Sequence, residues 1–412
     1  MKGLREKYDG QWLALLGLVL LMGGLLFSRA MMSIGIMVLT GQALLHPNLR
    51  QHLRRFFREP ALWGLTGLFL VYLLSGLNSS DQVYWLDRVR MKLPFLVLPF
   101  AFLSIPRFPR RLYYQLLLGF FWLVTLLALH SLFLFLLDME RITFLYREGR
   151  VMPTPVFHIR FSLMAVISVA IGWYLHQKKV VLWHPVERPL LLGAVIFLIL
   201  YIHLLAVRSG LLTLYGVLAY FFIREVVFQR KFLLGFLVAA FLALSLWTAF
   251  RFIPTLRNKL GYTLYSIELF QRGENIENLS DAQRLGSIFA GWALVREHPL
   301  AGVGVGDIRD ETERYLSENY PSLQGFGLLP QNQYLFIWAA AGLFGLLWFG
   351  FATTAPLLAH RAYVDPLFLS FHIIYFLSFL TDHALETQLG TALYLFFLLM
   401  GMRVGHPPNT GP

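Results

Sequence analysis

The chain has 412 residues, of which 57% are hydrophobic and 14% are charged, with a formal net charge of +12 and no cysteine. Soluble domains usually carry about 25% charged residues, so this composition excludes an ordinary soluble protein. The lack of cysteine excludes disulfides and thiolate metal sites.

Apolar runs recur almost from end to end and predict about twelve membrane-spanning helices, since crossing the hydrocarbon takes roughly 20 residues. Residues 1–10 are polar and basic and precede no clear cleavage site, so the first helix is expected to be retained. The run at 91–104 contains Pro94 and Pro99 and suggests a broken or re-entrant segment. The expected spans are 11–27, 30–46, 61–77, 91–104, 113–137, 161–176, 189–206, 209–223, 232–250, 333–357, 366–381 and 388–402.

These runs predict an all-α polytopic membrane protein with one integrated membrane domain. Residues 1–250 would hold helices 1–9, residues 251–332 a large loop, and residues 333–412 helices 10–12. With Met1 in the cytoplasm, the whole excess of basic residues falls on the cytoplasmic side, as membrane proteins prefer. The net charge therefore indicates topology, and a nucleic-acid partner is not expected. The outer segments would be 78–90, 138–160, 251–332 and 382–387.

The outer segment 251–332 is by far the longest connection. Loops of more than about 15 residues are usually functional or carry structure of their own. Residues 287–296 show helical patterning, and Ser280 or Asp281 is a plausible N-cap for that helix. We therefore expect a small, partly helical cap on the outer face.

Two arginines are candidates for anion binding. Arg208 stands between two apolar runs, followed by Ser209 and Gly210. A charge at the centre of a membrane helix costs about 2.5–3.5 kcal/mol and usually marks a site, although an arginine at a helix end can also extend to the interface. Arg284 lies in the long loop, where the residues alone favour a solvated charge over a binding site. The planar guanidinium suits phosphate and pyrophosphate, so two converging arginines would bind a dianion.

A glycine-rich stretch follows in the same loop, from His298 to Asp307. It lacks the strand–turn–helix context of a dinucleotide fingerprint and the Lys of a phosphate-binding P-loop. Gly304 and Gly306 predict a tight turn that allows either close helix approach or ligand contact.

Polar residues also mark the start of the tenth span and the last outer connection. Gln331 and Asn332 could hydrogen-bond a sugar or phosphate, or simply cap the helix. His383 and Glu386, with Asp382, could supply a general base, or merely end the helices in water. Weaker candidates for substrate or lipid-phosphate binding are His158, Arg160, Arg88, Arg90 and Lys92. No spacing of His and carboxylate residues suggests a metal site.

The order of these motifs resembles the O-antigen ligase and O-antigen polymerase family of bacterial inner membranes. The resemblance is carried by Arg-Ser-Gly at 208–210, Ser-Asp-Ala-Gln-Arg at 280–284, the glycine-rich stretch at 298–306 and Pro-Gln-Asn-Gln-Tyr-Leu at 330–335. It implies a GT-C-like fold and transfer of a glycan from undecaprenyl pyrophosphate to an acceptor hydroxyl in the periplasm. It also implies no metal or nucleotide cofactor.

By resemblance, Arg208 and Arg284 match the arginines that hold the pyrophosphate. The family's motif usually has a histidine, proposed to act on the acceptor, where this chain has Gln331. Glutamine does not take up a proton at neutral pH. The base would then be Glu386, His383 or His298, or Gln331 would only position the acceptor, or this member would no longer catalyse transfer.

The expected partners are the carrier-linked glycan, a lipid or glycan acceptor and membrane lipids. Transfer to lipid A–core would make the chain a ligase, and transfer to another carrier-linked glycan would make it a polymerase. A polysaccharide or lipid transporter is the alternative from another class, but the sequence shows no clear internal repeat and its charges cluster at the outer face.

Overall fold

A computed structural model describes the chain as a helical bundle. It describes residues 10–105, 109–142, 152–182, 184–228, 230, 232–252, 261, 264–270, 272 and 279–404. Parts of the predicted outer segments 138–160 and 251–332, and both chain ends, lie outside the described residues. Regular structure in the described part is entirely helical. Its α-helices are α1 Gln11–Phe27, α2 Arg29–Leu44, α3 Leu49–Arg58, α4 Pro60–Leu74, α5 Gln82–Ser104, α6 Arg110–Leu137, α7 His158–Gln177, α8 Glu187–Leu205, α9 Arg208–Ile223, α10 Phe232–Phe252, α11 Ser280–Glu297, α12 Ile308–Asn319, α13 Gln333–Leu358, α14 Pro366–Thr381 and α15 Gln388–Val404.

Six segments in the described part of the chain are long and apolar enough to cross a membrane. They are Pro60–Asn78, Arg110–Leu137, His158–Gln177, Glu187–Leu205, Arg208–Val226 and Gln333–Leu358. The pair α2 and α3, bent by 107°, makes a seventh if it is one broken span, and α1, α14 and α15 are shorter apolar helices. The all-α prediction is confirmed, and each predicted apolar run coincides with a helix. The count of twelve spans stays a prediction.

Helix α5 differs from the prediction for its region. The run at 91–104 suggested a broken or re-entrant segment, but α5 is one continuous helix that starts at Gln82 and keeps both prolines inside it. Its start is fixed by Asp81, whose carboxylate accepts hydrogen bonds from the backbone N–H groups of Val83 and Tyr84. The nine additional residues place the basic side chains at 88–92 on a helix.

Helix α7 is the most buried of the six candidate spans. It packs against α6, α8, α9 and α14. Small residues permit this close approach: a Cβ on Gly210 of α9 would lie 2.7 Å from the Cβ of Ser162. Interfaces of this kind are typical of helix packing in membranes. The core of the bundle thus brings the first turns of α7 and α9 together.

Helix α13 is interrupted at Gly342, whose φ of 66° and ψ of −170° are not helical. The glycine-rich stretch crosses this break. The N–H groups of Val303 and Gly304 donate to the carbonyls of Ala339 and Ala340 at 2.9 Å each. The stretch therefore satisfies backbone groups that the interrupted helix leaves open.

The same stretch docks on the connection between α4 and α5. The carboxylate of Asp307 accepts hydrogen bonds from the N–H groups of Ser80 and Asp81 at 2.7–2.9 Å. A Cβ on Gly304 or Gly306 would lie 2.4 or 2.5 Å from the carbonyl oxygens of Asn78 and Asp81. Of the two uses predicted for these glycines, close backbone approach is the one the structure displays.

The described part of 251–332 contains α11 and α12, which pack on each other over a small apolar cluster of their own. The helical pattern predicted at 287–296 lies within α11, so that prediction is confirmed. The predicted N-cap was wrong: Leu279 occupies the cap position, and Asp281 lies in the first turn, where it pairs with another helix.

Candidate functional site

Arg208 is the first residue of α9. Helix α8 is followed by its capping residue Ala206, whose φ of 50° is left-handed and turns the chain sharply into the next helix. The guanidinium of Arg208 forms an ion pair with Asp281 of α11, and 38% of the arginine side chain is exposed. This contact ties α11 to the helical bundle and leaves the cation accessible at a helix end.

Arg284 lies one turn after Asp281 on α11. Its Nε donates a hydrogen bond of 2.8 Å to the side-chain oxygen of Gln331, just before α13. Burial lowers the pKa of Arg284, and the nearby positive charge of Arg208 lowers it further. The two arginines singled out from the sequence therefore lie close enough to repel each other.

Arg160 in the first turn of α7 pairs with Asp382, which ends α14. Both side chains are buried. Burial alone would raise the pKa of Asp382, but the charge of Arg160 outweighs it, helped by His383 and Arg284, and keeps the pKa below its ordinary value. The ionised carboxylate thus lies between α7 and the arginines of α9 and α11.

Glu386 forms a second buried cluster in the same connection. Its Oε1 accepts hydrogen bonds from Lys92 Nζ and Gln333 Nε2 at 2.9 Å each, and from the hydroxyl of Tyr72. Burial would raise the pKa of Glu386, but Lys92 and Arg88 keep it below the ordinary value. A carboxylate that is enclosed and stabilised in this way holds the helices together and is a poor proton acceptor.

His383 lies between the two clusters. Its Nδ1 is 3.8 Å from Oδ1 of Asp382, its ring stacks on Phe336 of α13, and 21% of the side chain is exposed. Burial lowers the pKa of His383, while Asp382 and Glu386 oppose the shift. The imidazole is therefore neutral at neutral pH.

Basic side chains outnumber acidic ones in this set, which we call the outer charge cluster. It contains Arg88, Lys92, Arg160, Arg208 and Arg284, together with Asp281, Asp382 and Glu386. These eight side chains carry a net charge of +2 when ionised. Excess charge on side chains that are fully or partly buried is costly without a counter-ion. The cluster is therefore suited to an anion with about two negative charges.

Other residues predicted from the sequence lie elsewhere or act differently. Asn332 caps α13 and donates its amide to the carbonyl of Leu380. Arg90 is exposed beside Asp87, and His298 is exposed at the end of α11. Gly304 and Gly306 pack on the 78–81 connection, and His158, the first residue of α7, contacts the ring of Phe157.

Sequence reasoning missed Tyr72 and Gln333, and it misread Asp281 as a helix cap. Tyr72 and Gln333 are polar groups within apolar helices, a signal that could have marked them. The pairing of Asp281 with Arg208 joins residues 73 positions apart, and no local pattern predicts it. Among the described residues, no three His, Asp or Glu side chains form a group that could hold a metal ion.

Comparison with known proteins agrees with the motifs. Residues 192–350 match the family model described as O-antigen ligase. The match covers α9, α11 and most of α13, and so includes Arg208, Arg284 and Gln331. The family resemblance read from the sequence is confirmed. No curated protein matches the chain.

Proposed function

We propose that the chain is a member of the O-antigen ligase family, whose model matches residues 192–350, and that it transfers a glycan from undecaprenyl pyrophosphate to an acceptor hydroxyl. The family match and the apolar helices support a membrane enzyme that transfers glycans. The identity of donor and acceptor, and the roles of individual residues, are what the proposal adds.

The observation that carries the proposal is the proximity of Arg208 and Arg284 in a cluster with net charge +2. When the glycan leaves its carrier, negative charge develops on the pyrophosphate. Preorganised guanidinium groups stabilise such charge best in a site that excludes water. Arg284 is held by Gln331 and Arg208 by Asp281, so both cations are oriented before the donor binds.

The ion pairs have a second consequence for the donor site. Asp281 and Asp382 lower the cost of gathering several cations while the site is empty. A bound pyrophosphate would compete with these carboxylates for the arginines. We therefore propose that the donor displaces part of the Arg208–Asp281 pair, the more exposed of the two arginine–aspartate pairs in the cluster.

The arrangement of helix ends supports a single outer face. Arg160 and Arg208 begin α7 and α9, whereas Asp382 ends α14. If successive helices cross the membrane in opposite directions, these helix ends lie on the same side of the membrane. The basic segment at 47–60 then lies on the other side. We propose that this side is the periplasmic face of the bacterial inner membrane, that both termini are cytoplasmic, and that the bundle is a GT-C-like fold of about twelve spans.

The acceptor decides between the two activities of the family. We propose the ligase activity, with lipid A–core or a similar lipid as acceptor, because the matching family model is described as O-antigen ligase. Polymerase activity would use a second carrier-linked glycan.

The test is transfer by the purified full-length chain in detergent or proteoliposomes. It would receive a glycan linked to undecaprenyl pyrophosphate and either lipid A–core or a second carrier-linked glycan. The expected product is glycosylated lipid A–core together with released undecaprenyl pyrophosphate. Elongated carrier-linked glycan would instead identify a polymerase. Movement of intact donor across the bilayer, with no transfer to either acceptor, would contradict the proposal and identify a transporter.

A further inference from the structure

Attack by an acceptor hydroxyl needs a group that removes its proton, because alcohols are poor nucleophiles when protonated. Gln331 has no basic group at neutral pH, and its side-chain oxygen is occupied by Arg284. Gln331 is thus a positioning residue for Arg284. The base has to be found elsewhere in the outer charge cluster or beside it.

We propose that His383 is the base for acceptor activation, with Asp382 as the carboxylate that orients it. This inference rests on the proposed transfer function. It follows from three features of the structure: His383 is partly exposed, its Nδ1 faces Asp382 at 3.8 Å, and Asp382 in turn lies near Arg284. The arrangement of His383 and Asp382 is similar to that of a catalytic histidine and the aspartate that orients it. The distance between their nearest side-chain atoms is longer than in a formed hydrogen bond.

The other candidate bases fit the role less well. The side chain of Glu386 is 0% exposed and is held ionised by Lys92, so it can neither reach an acceptor nor readily accept a proton. Asp382 is 7% exposed and is committed to Arg160. His298 is exposed at the C-terminal end of α11, about four helical turns away from Arg284.

The surroundings of His383 keep its imidazole ring neutral but leave the side chain partly exposed. The charged groups that act on it are Asp382, Glu386, Arg160 and Arg88, and Phe336 covers one ring face. Burial and the two arginines favour the neutral ring, whereas the two carboxylates favour the imidazolium. The carboxylates can therefore stabilise the proton that the ring gains during the reaction.

The acceptor oxygen forms a bond to the anomeric carbon while the bond from that carbon to the phosphate oxygen breaks. The electron pair of the broken bond stays on undecaprenyl pyrophosphate. The hydroxyl proton moves to Nε2 of His383, and Nδ1–H points to Asp382. The imidazolium then returns the proton to water, which restores the neutral ring.

The inference is tested with His383→Gln, which keeps polarity and size but has no basic nitrogen. We expect the transfer rate to fall by roughly 10²–10⁴-fold, the range for loss of a general base. Donor binding, measured with the carrier-linked glycan, should change by less than about threefold. Retained turnover, or a loss of donor binding as large as the loss of rate, would overturn the proposal, since the second result indicates a structural role. His184→Gln, in the connection that precedes α8, is the matched control and should leave the rate unchanged.

A pH profile gives an independent readout. The rate of the wild-type enzyme should fall as the pH drops below 6.5 towards the lowered pKa of His383, because protonation removes the base. The residual rate of His383→Gln should lack this fall at low pH. An unchanged fall in the variant would contradict the assignment of His383 as the base. Failure of the parent proposal looks different: the wild-type chain itself would then transfer no glycan at any pH.

Discussion

Nε of Arg284 donates a hydrogen bond of 2.8 Å to the side-chain oxygen of Gln331, so residues 47 positions apart share one contact at the entrance of α13. The hydrogen bond fixes the arginine's plane and direction. Because a guanidinium binds phosphate only in certain orientations, we expect this contact to affect donor binding more than proton transfer.

Replacement of Gln331 tests this role. Gln331→Leu removes the hydrogen-bond acceptor and should weaken donor binding by about 1–3 kcal/mol, or roughly five- to 150-fold, because it leaves the partly buried Nε–H of Arg284 unsatisfied. Gln331→His has a ring nitrogen that can accept the bond and should retain activity. The measurement is transfer rate against donor concentration. A Leu variant with unchanged donor affinity and an altered pH profile would show that Gln331 acts on the acceptor instead.

Glu386 provides a stability prediction. Glu386→Gln leaves Lys92 as an uncompensated buried charge, and breaking a buried pair typically costs about 3–5 kcal/mol. Thermal unfolding in detergent should show a large loss for this variant. Adding Lys92→Met should recover part of the loss, since the remaining charge is then removed.

Turnover per folded molecule separates this structural role from catalysis. Because Glu386 also favours the imidazolium of His383, turnover in Glu386→Gln should fall slightly, and by far less than in His383→Gln. A stable Glu386→Gln variant that has lost turnover would identify Glu386 as the base and contradict the assignment to His383.

The glycine-rich stretch provides a matched pair of substitutions. Gly302 has a φ of +71°, and a Cβ there would lie 2.6 Å from backbone atoms of Ala340 and Gly342. Gly302→Ala should therefore cost about 1–2 kcal/mol for the left-handed backbone and about 1–3 kcal/mol more for overpacking. Gly325 has a φ of +85° but no heavy atom within 4 Å, so Gly325→Ala should cost only the first amount. Equal losses of thermal stability for the two variants would contradict the close packing of the glycine-rich stretch against the break in α13.

Topology can be tested with single cysteines, because the natural sequence contains none. Glu318→Cys in α12 and Lys178→Cys after α7 both replace exposed side chains. A membrane-impermeant maleimide applied to cells with a permeabilised outer membrane should label position 318 and spare position 178. Disruption of the inner membrane should expose position 178. Labelling in the reverse order would invert the proposed orientation and place the outer charge cluster in the cytoplasm.

Hydropathy predicted the helices because burial in lipid requires long apolar runs. It failed at α5, where the polar residues from Gln82 to Lys92 hid the nine helical residues before Met91 from a search for apolar runs. Those residues are tolerated because their partners come from another part of the chain: Lys92 pairs with Glu386 and donates to the carbonyl of Leu385.

The candidate site was also predictable only in part from the sequence. Arg208 was recognisable because a charge between two apolar runs requires an explanation, and Arg284 through the order of motifs. Their partners were not, since the sequence indicates only local roles for Asp281, as a helix cap, and for Gln331, as a polar residue before a helix. Only the fold shows that these residues lie beside the arginines. Likewise, the sequence offered three candidate bases, and burial and ion pairing now separate them.

The central claim is that Arg208 and Arg284 together hold the pyrophosphate, and its most direct measurement is donor binding and transfer by purified Arg208→Ala and Arg284→Ala variants. Both should insert and fold, and both should lose affinity for undecaprenyl pyrophosphate along with nearly all transfer. Arg90→Ala, which removes an exposed arginine outside the cluster, is the control and should behave as wild type. Wild-type affinity and turnover in both arginine variants would contradict the account.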